Sequence, residues 1–317
     1  MSAPTPSSAA SPPPPPPPGS RPRRTPPEAL LRRIDWDIVS RLDGRLQGDY
    51  RSGALGDGLD VADLREYQVD DDVRRIDWNV TARMSEPFVR QYDEDREVTA
   101  WFVVDRSASM KFGHSERTKE VVAAEIVAAL ARMLTFGGNR VGAVLWNNGA
   151  TTVIEPRSDR THLLRLISLL LSEQTEPDAS GAGLEDLLNA GAAAARRRSM
   201  VFIVSDFLAE PGWETGMRRL SARHDVVAIR VVDSQEQEMP DAGFVVVQDA
   251  ETGEQMTIDT SDRQFRERFA QATQDRETAL RHSAIRSGVQ LFPVSTEADL
   301  ASELVAMAAR RKERLRR

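Results

Sequence analysis

The stretch Trp101-Phe-Val-Val-Asp-Arg-Ser-Ala-Ser-Met110 joins a short apolar run to an aspartate and two serines at alternate positions. A run of this length and composition is typical of a buried β-strand. Asp105, Ser107 and Ser109 then bring one carboxylate and two hydroxyls into one tight loop. Oxygen atoms of these kinds are the ligands that a hard cation such as Mg²⁺ prefers. The stretch therefore predicts a strand that ends in a candidate metal-binding loop.

Four more apolar runs of strand length follow, separated by helical or mixed stretches. Near-continuous apolar strands are typical of parallel sheets, which are covered on both faces. The five runs are 101–104, 141–146, 200–204, 226–232 and 289–294. A sixth run, 151–155, follows Asn148-Gly149, which favours a hairpin, so this strand should pair antiparallel at an edge. The pattern predicts an α/β fold with a doubly wound, mostly parallel six-stranded sheet.

Helical periodicity fills the gaps between these strands and places helices on both faces of the sheet. The predicted helices cover about 117–135, 161–171, 184–195, a segment that ends near 286, and 297 to the basic end. The fourth of these should begin at a capping box formed by Ser261 and Gln264. A hairpin is predicted to be inserted near 243–259, around Glu251-Thr-Gly-Glu254.

The order of these strands suggests where a binding site would lie. In the common doubly wound order 3-2-1-4-5-6, the first strand lies beside the fourth, and ligands bind at their carboxyl ends. Counted along the chain, with 151–155 as the third strand, Asp105 closes the first strand and Asp206 closes the fourth. The two carboxylates are therefore expected to meet at one edge of the sheet.

The chain divides into three predicted regions. Residues 1–26 contain the proline run 12–18 and are expected to be a disordered tail that acts as a spacer. Residues 27–97 are expected to form an N-terminal helix and a charged, irregular segment that packs on the main domain. In that segment Trp78 favours packing, and ion pairs are expected between Arg65, Arg74 and Arg83 and Asp71, Asp72 and Asp77. Residues 98–317 form the main domain.

Composition limits the classes of function. The chain has 317 residues, a net charge of −7 and no cysteine, so a general nucleic-acid binder and zinc-thiolate sites are not expected. No apolar run is long enough to span a bilayer, and the beginning of the chain does not resemble a secretion signal. We expect a soluble cytoplasmic protein.

The main domain resembles a von Willebrand factor A-type domain. Such domains carry an Asp-x-Ser-x-Ser loop after the first strand as part of a metal-ion-dependent adhesion site, and Asp105-Arg-Ser-Ala-Ser109 matches it. The upstream segment is similar to the signature of the bacterial family called domain of unknown function 58. The matching residues are Arg65-Glu-Tyr67, Asp71-Asp72, Arg74, Ile76-Asp-Trp78 and Ala82-Arg83. The likeness is good over about residues 45–210.

This resemblance implies that Asp105, Ser107, Ser109 and Asp206 coordinate Mg²⁺ or Mn²⁺. A-type domains usually add a threonine, which is absent at the expected place here. Ser180 is the nearest hydroxyl, so it is included as a candidate ligand. The upstream signature also departs at Asp70, where the family usually carries glycine. A metal-free alternative stays open, because aspartate and serine are also ordinary turn-forming and helix-capping residues.

The resemblance further implies a non-catalytic protein-interaction module that acts as an adaptor or cofactor for a MoxR-type AAA+ ATPase. Two alternatives are a metal-dependent phosphoester hydrolase and a metal-free structural adaptor. The chain contains no Gly-x-Ser-x-Gly elbow and no Walker loop. Its four histidines, His114, His162, His224 and His282, have no metal-ligand spacing, although His114 is close enough in sequence to the loop to serve as a base.

Overall fold

A computed structural model describes most of the main domain and parts of the N-terminal region. The described residues are 26–34, 61–68, 73, 76–84, 86–92, 98–113, 117–147, 150–172, 183–209, 212–236, 239–248 and 255–315. Residues 1–25 of the predicted spacer lie outside these residues, as do Ser180 and His114.

The first elements of the chain are a short helix and a small sheet. Helix α1 covers Pro27–Ile34, and strands β1 (Val61–Glu66) and β2 (Phe88–Tyr92) pair antiparallel on either side of helix α2 (Trp78–Met84). This two-stranded sheet was not predicted from the sequence. Helix α1 packs its buried leucines and Ile34 into the core of the main domain.

The main domain is built on one six-stranded sheet. Its strands are β3 (Thr99–Asp105), β4 (Arg140–Asn147), β5 (Ala150–Arg157), β6 (Met200–Ser205), β7 (Asp225–Val232) and β10 (Gln290–Ser295). They lie in the order β10-β7-β6-β3-β4-β5. Five strands are parallel, and β5 pairs antiparallel with β4 at one edge. The predicted fold class, strand order and antiparallel edge are therefore confirmed.

Helices cover both faces of this sheet. They are α3 (Lys119–Phe136), α4 (Arg160–Leu170), α5 (Leu184–Ala194), α6 (Glu214–Ser221), α7 (Arg263–Arg286) and α8 (Leu300–Leu315). The start of α7 differs from the predicted capping box, because Asp262 accepts the backbone N–H of Gln264 while Ser261 donates to Asp259. Asp262 directly precedes the first turn, so its carboxylate serves as the cap.

The core consists of two layers, one on each side of the sheet. Alternate residues of a strand point to opposite faces. Phe102 of β3 stacks on Phe202 of β6 at a ring-centroid distance of 5.1 Å in the layer beneath α1, α3, α4 and α8. Trp101 and Val103 point into the other layer, which α5, α6 and α7 cover. Burial on both faces explains the near-continuous apolar sequence of the central strands.

The charged N-terminal segment behaves differently from the expectation at Trp78. Its side chain is 68 % exposed, so the prediction that it packs is wrong. The preceding residue, Asp77, turns inward instead, bonding through its N–H to the carbonyl of Phe88 and accepting the N–H of Val80 at the start of α2. Arg83 is exposed. The other predicted ion-pair partners, or their side chains, lie outside the described residues.

The predicted insertion contains a hairpin. Strands β8 (Phe244–Gln248) and β9 (Gln255–Asp259) pair antiparallel as a separate two-stranded sheet between β7 and α7. Phe244 and Val246 on one face of this hairpin are exposed. None of the helices α1 to α8 combines the length and apolar character that crossing a membrane requires.

Close packing between α5 and β3 depends on Gly191. A Cβ atom at this position would lie 2.8 Å from Cγ2 of Val103. We expect Gly191→Val to lower the free energy of unfolding by about 2 kcal/mol or more, because overpacking forces the helix away from the sheet. Chemical denaturation measures the change. Ala193→Val, on the exposed side of the same helix, is the matched control and should cost less than about 1 kcal/mol. Equal losses would contradict this account of the contact.

Candidate functional site

The site lies where the carboxyl ends of β3 and β6 meet. The two strands are parallel neighbours, with Val104 opposite Val204, so Asp105 and the Ser205-Asp206 pair emerge side by side. The hydroxyl of Ser205 donates to Oδ2 of Asp105 at 2.7 Å. Residues one hundred positions apart in the chain are thus directly bonded. Ligands of open α/β sheets bind at this type of position, where the strand order reverses.

The loop after β3 brings its two serine hydroxyls together. Oδ1 of Asp105 accepts the backbone N–H of Ser107 at 2.9 Å, and the Ser107 and Ser109 hydroxyls are 3.0 Å apart. A single 3₁₀ turn, Ala108–Lys111, follows, and Ser107 makes no side-chain capping bond to it. Asp105 therefore does have the turn-forming role that the metal-free alternative predicts. The Ser107 hydroxyl does not cap the turn.

Arg106 fixes this loop from behind. The side chain is buried, and one guanidinium nitrogen donates to Glu120 at 3.2 Å and to the carbonyl of Ser172 at 2.8 Å. Its backbone N–H donates to the carbonyl of Trp146 on β4. These bonds connect the loop to α3, to the end of α4 and to the adjacent strand. The loop is therefore held in place by side chains that do not face the site.

Asp206 is already paired with a cation of the protein itself. The ammonium of Lys119, at the start of α3, lies 2.6 Å from Oδ2 of Asp206 and 2.5 Å from Oε1 of Glu236. The Lys119 side chain is fully buried, and the exposed Phe112 places its ring 5.8 Å from the ammonium. Oδ1 of Asp206 accepts the backbone N–H of Leu208. Both oxygens of Asp206 thus have partners.

Asp105 has no such cation. Among the described residues its hydrogen-bond partners are Ser205 and Ser107, whose groups are neutral donors. Burial and the neighbouring charge of Asp206 raise the pKa of Asp105 to about 6, and the hydrogen bonds from Ser205 and Ser107 only partly offset these effects. The carboxylate is thus destabilised in the absence of added positive charge. This is the electrostatic condition under which a cation would bind.

The turn after β6 is strained. Phe207 has a φ of 56°, and a positive φ is unusual for an aromatic residue. Its N–H donates to the hydroxyl of Ser205 at 3.0 Å, and its buried ring packs edge-on against Trp213. Strain of this kind costs about 1–3 kcal/mol and persists where surrounding contacts fix the conformation. Here the conformation orients Ser205 toward Asp105.

A second layer of charged groups surrounds Asp206. Arg230 of β7 donates from Nε to the Asp206 carbonyl at 3.1 Å and pairs with Glu277 of α7. Burial lowers the pKa of Arg230 and raises the pKa of Glu236. Asp233, next to Glu236, accepts the Thr296 hydroxyl at 2.9 Å. The ends of β6, β7 and β10 are thereby joined in one polar network that includes α7.

The donors partly fit the metal that the resemblance implies. Asp105 supplies a carboxylate that has no described cation, and Ser107 and Ser109 supply two hydroxyls that lie together. Asp206 is committed to Lys119. Within the described chain, no cluster of three histidine, aspartate or glutamate side chains is arranged to hold a metal ion. Among the described residues, those that fit a divalent cation are therefore the three in the loop after β3.

Three residues of this site were not predicted from the sequence. Ser205 and Glu236 carry no signal of their own in the sequence, because their roles arise from contacts between strands. Lys119 does carry a signal in the sequence. It stands in the first turn of α3, where the helix dipole disfavours a cation. A lysine at that position indicates a strong local negative charge that offsets the dipole.

Solved structures that match part of this chain share little sequence with it. The conserved hypothetical protein BatB from Bacteroides thetaiotaomicron has a TM-score of 0.40 and 13 % identity, covering 67 % of this chain and 99 % of its own. An aerotolerance-related membrane protein from Bacteroides fragilis has a TM-score of 0.43 and 15 % identity, covering 67 % of this chain and 97 % of its own. The SpRpn10 VWA domain has a TM-score of 0.38 and 14 % identity, covering 66 % and 94 %.

Sequence relatives are closer. The uncharacterized protein Rv1480 of Mycobacterium tuberculosis is 36 % identical over 286 residues, which cover 90 % of this chain and 89 % of the relative. An uncharacterized protein of Mycobacterium avium is 31 % identical over 163 residues, covering 51 % of this chain and 95 % of the relative. A family model described as protein of unknown function DUF58 matches residues 63–279. The chain therefore belongs to the DUF58 family.

Proposed function

We propose that this chain is a non-catalytic protein-interaction module whose partner docks at the carboxyl edge of the sheet, around Asp105, Ser107 and Ser109. The observation that carries the proposal is the buried Asp105 carboxylate, which has neutral donors from Ser205 and Ser107 and no described cation. Such a carboxylate favours an external positive charge. The adjacent hydroxyls of the two serines supply further oxygen ligands.

The surface beside the loop suits a protein contact. Phe112 follows the 3₁₀ turn and is 43 % exposed. Exposed aromatic side chains beside a polar centre are common energetic hot spots of interfaces. The chain also has a net charge of −7, which fits a partner surface with positive charge around the contact.

The proposal includes a divalent cation, Mg²⁺ or Mn²⁺, held by Asp105, Ser107 and Ser109. Such an ion, when bound, accepts a carboxylate oxygen from a partner as a further ligand. The chain's own residues would position that contact: Arg106 fixes the loop, and Ser205 holds Asp105 in orientation. Asp206 would stay paired with Lys119 and would not need to bind the ion directly.

The proposed partner is a MoxR-type AAA+ ATPase in the cytoplasm, with this chain as its adaptor or cofactor. This part rests on the family resemblance of the loop and the upstream signature. Two of the described histidines lie away from the site and offer no base there for a hydrolase. His162 bonds the carbonyl of Val141 at the start of β4, and His224 immediately precedes β7, so both lie at the opposite edge from Asp105. Phosphoester hydrolysis that disappears in Asp105→Ala would favour the hydrolase instead.

Partner capture tests the docking edge. Tagged protein purified from its source cells in Mg²⁺ should recover an AAA+ ATPase, and chelation with EDTA should reduce the recovery at least tenfold. Asp105→Ala should have the same effect in Mg²⁺, because it removes the charge that holds the cation. Asp225→Ala is the matched control at the opposite edge of the sheet and should leave recovery unchanged. Full recovery with Asp105→Ala would place the interface elsewhere.

The pH dependence of stability tests the charge on Asp105. Its folded-state pKa of about 6 exceeds the ordinary value of 3.8, so its contribution to stability is present at low pH and is lost as pH rises through 6. In EDTA at pH 8, Asp105→Asn should therefore be more stable than the wild type by about 1–3 kcal/mol. The difference should shrink as pH falls toward 4. Urea denaturation at several pH values measures it.

A second variant provides the control for this experiment. Ser205→Ala keeps the carboxylate and removes the hydroxyl that donates to it. Because that bond lowers the pKa of Asp105, its loss should move the pH window upward. A stability difference between Asp105→Asn and the wild type that is the same at pH 4 and pH 8 would contradict the assignment.

A further inference from the structure

The most unusual group in the site is the ammonium of Lys119. The side chain is 0 % exposed, so water does not reach its ammonium group. Burial of a lone ammonium costs several kcal/mol, so the group requires close anionic partners. Asp206 at 2.6 Å and Glu236 at 2.5 Å are those partners. The fold therefore places two carboxylates around this ammonium.

The location of Lys119 makes the pairing informative. It is the first residue of α3, directly after the capping residue Thr118, where the helix dipole opposes a cation. Glu236 belongs to the 3₁₀ turn after β7, while Asp206 closes β6. Three separate elements thus converge on one ammonium. The same Asp206 raises the pKa of Asp105 through its negative charge, so the ammonium lies on one side of a shared electrostatic site.

We infer that Lys119 is a tethered cation that holds the Asp206 side of the site, and that it limits the affinity of this chain for divalent cations. The inference rests on the proposed metal seat at Asp105, Ser107 and Ser109. Lys119 removes Asp206 from the set of available ligands and adds a positive charge close to that seat. A divalent ion is then confined to the loop after β3 and binds weakly, with a dissociation constant on the order of millimolar.

Neutralising the lysine should reverse this limitation. Lys119→Met keeps a flexible side chain of similar length without the charge. Asp206 would then lack its cation beside Asp105, so two carboxylates and the two serine hydroxyls would be available at this edge of the sheet. Hard divalent cations bind more tightly as the number of charged oxygen ligands increases. The variant should therefore acquire a stronger cation site than the wild type has.

The test is Mn²⁺ binding to the purified full chain, followed by the electron paramagnetic resonance signal of free Mn²⁺. Lys119→Met should bind Mn²⁺ at least tenfold more tightly than the wild type. Lys111→Met is the matched control, because it removes an exposed lysine from the adjacent turn and should leave the affinity unchanged. The double variant Lys119→Met/Asp206→Asn should lose the gain, since it removes the ligand that Lys119→Met exposes.

Loss of folding is controlled by two further measurements. Removing one partner of a buried ion pair is strongly destabilising, so Lys119→Met is also measured together with Glu236→Gln, which leaves one unpaired carboxylate fewer. Mn²⁺ should raise the melting temperature of either variant by more than it raises that of the wild type. Tighter Mn²⁺ binding without any effect of Asp206→Asn would overturn the role of Asp206.

The outcomes separate this inference from the proposed function. If the wild type binds Mn²⁺ and Lys119→Met binds it no more tightly, the inference fails and the metal seat stands. If no variant binds Mn²⁺, both the seat and the inference fail. Docking of a partner is read independently by the capture experiment, which does not use the Lys119 variants.

Discussion

The parallel pairing of β3 with β6 is the constraint on which the chemistry of this protein depends. Because Val104 lies opposite Val204, the residues that follow each strand must share one small space. Strand β3 ends in Asp105, with Ser107 and Ser109 after it, and strand β6 ends in Ser205, with Asp206 after it. Had another strand separated the two, the bond between Ser205 and Asp105 could not form. The strand order thus decides that two acidic groups must share one site.

Two buried carboxylates that interact require compensating partners, and the protein provides these unequally. Asp206 receives Lys119, a guanidinium bond to its carbonyl from Arg230, and the backbone N–H of Leu208. Asp105 receives only neutral donors, from Ser205 and Ser107. This asymmetry separates the roles of the pair: Asp206 organises the surrounding elements, and Asp105 keeps a charge that an external group can use. Different surroundings thus give two neighbouring carboxylates different roles.

Sequence reasoning reached the frame of the site but only part of its contents. The apolar runs and Asn148-Gly149 predict the strands and the antiparallel edge, and the common doubly wound order, which the structure has, brings Asp105 and Asp206 together. Lys119 was missed because helical periodicity assigns a first-turn lysine to solvent. Trp78 was misjudged for the opposite reason, since a large aromatic ring usually packs, whereas here Asp77 takes the inward position. Both errors concern side-chain direction, which strand and helix patterns do not specify at the ends of elements.

The strained turn at Phe207 has a consequence for the direction of hydrogen bonding. The N–H of Phe207 donates to the hydroxyl oxygen of Ser205, so the proton of that hydroxyl is directed toward Oδ2 of Asp105. The N–H of Ser107 donates to the other oxygen. Asp105 is therefore an acceptor at both oxygens. The hydrogen bonds run in one direction, from backbone amide to hydroxyl to carboxylate, and this arrangement is suited to receiving positive charge.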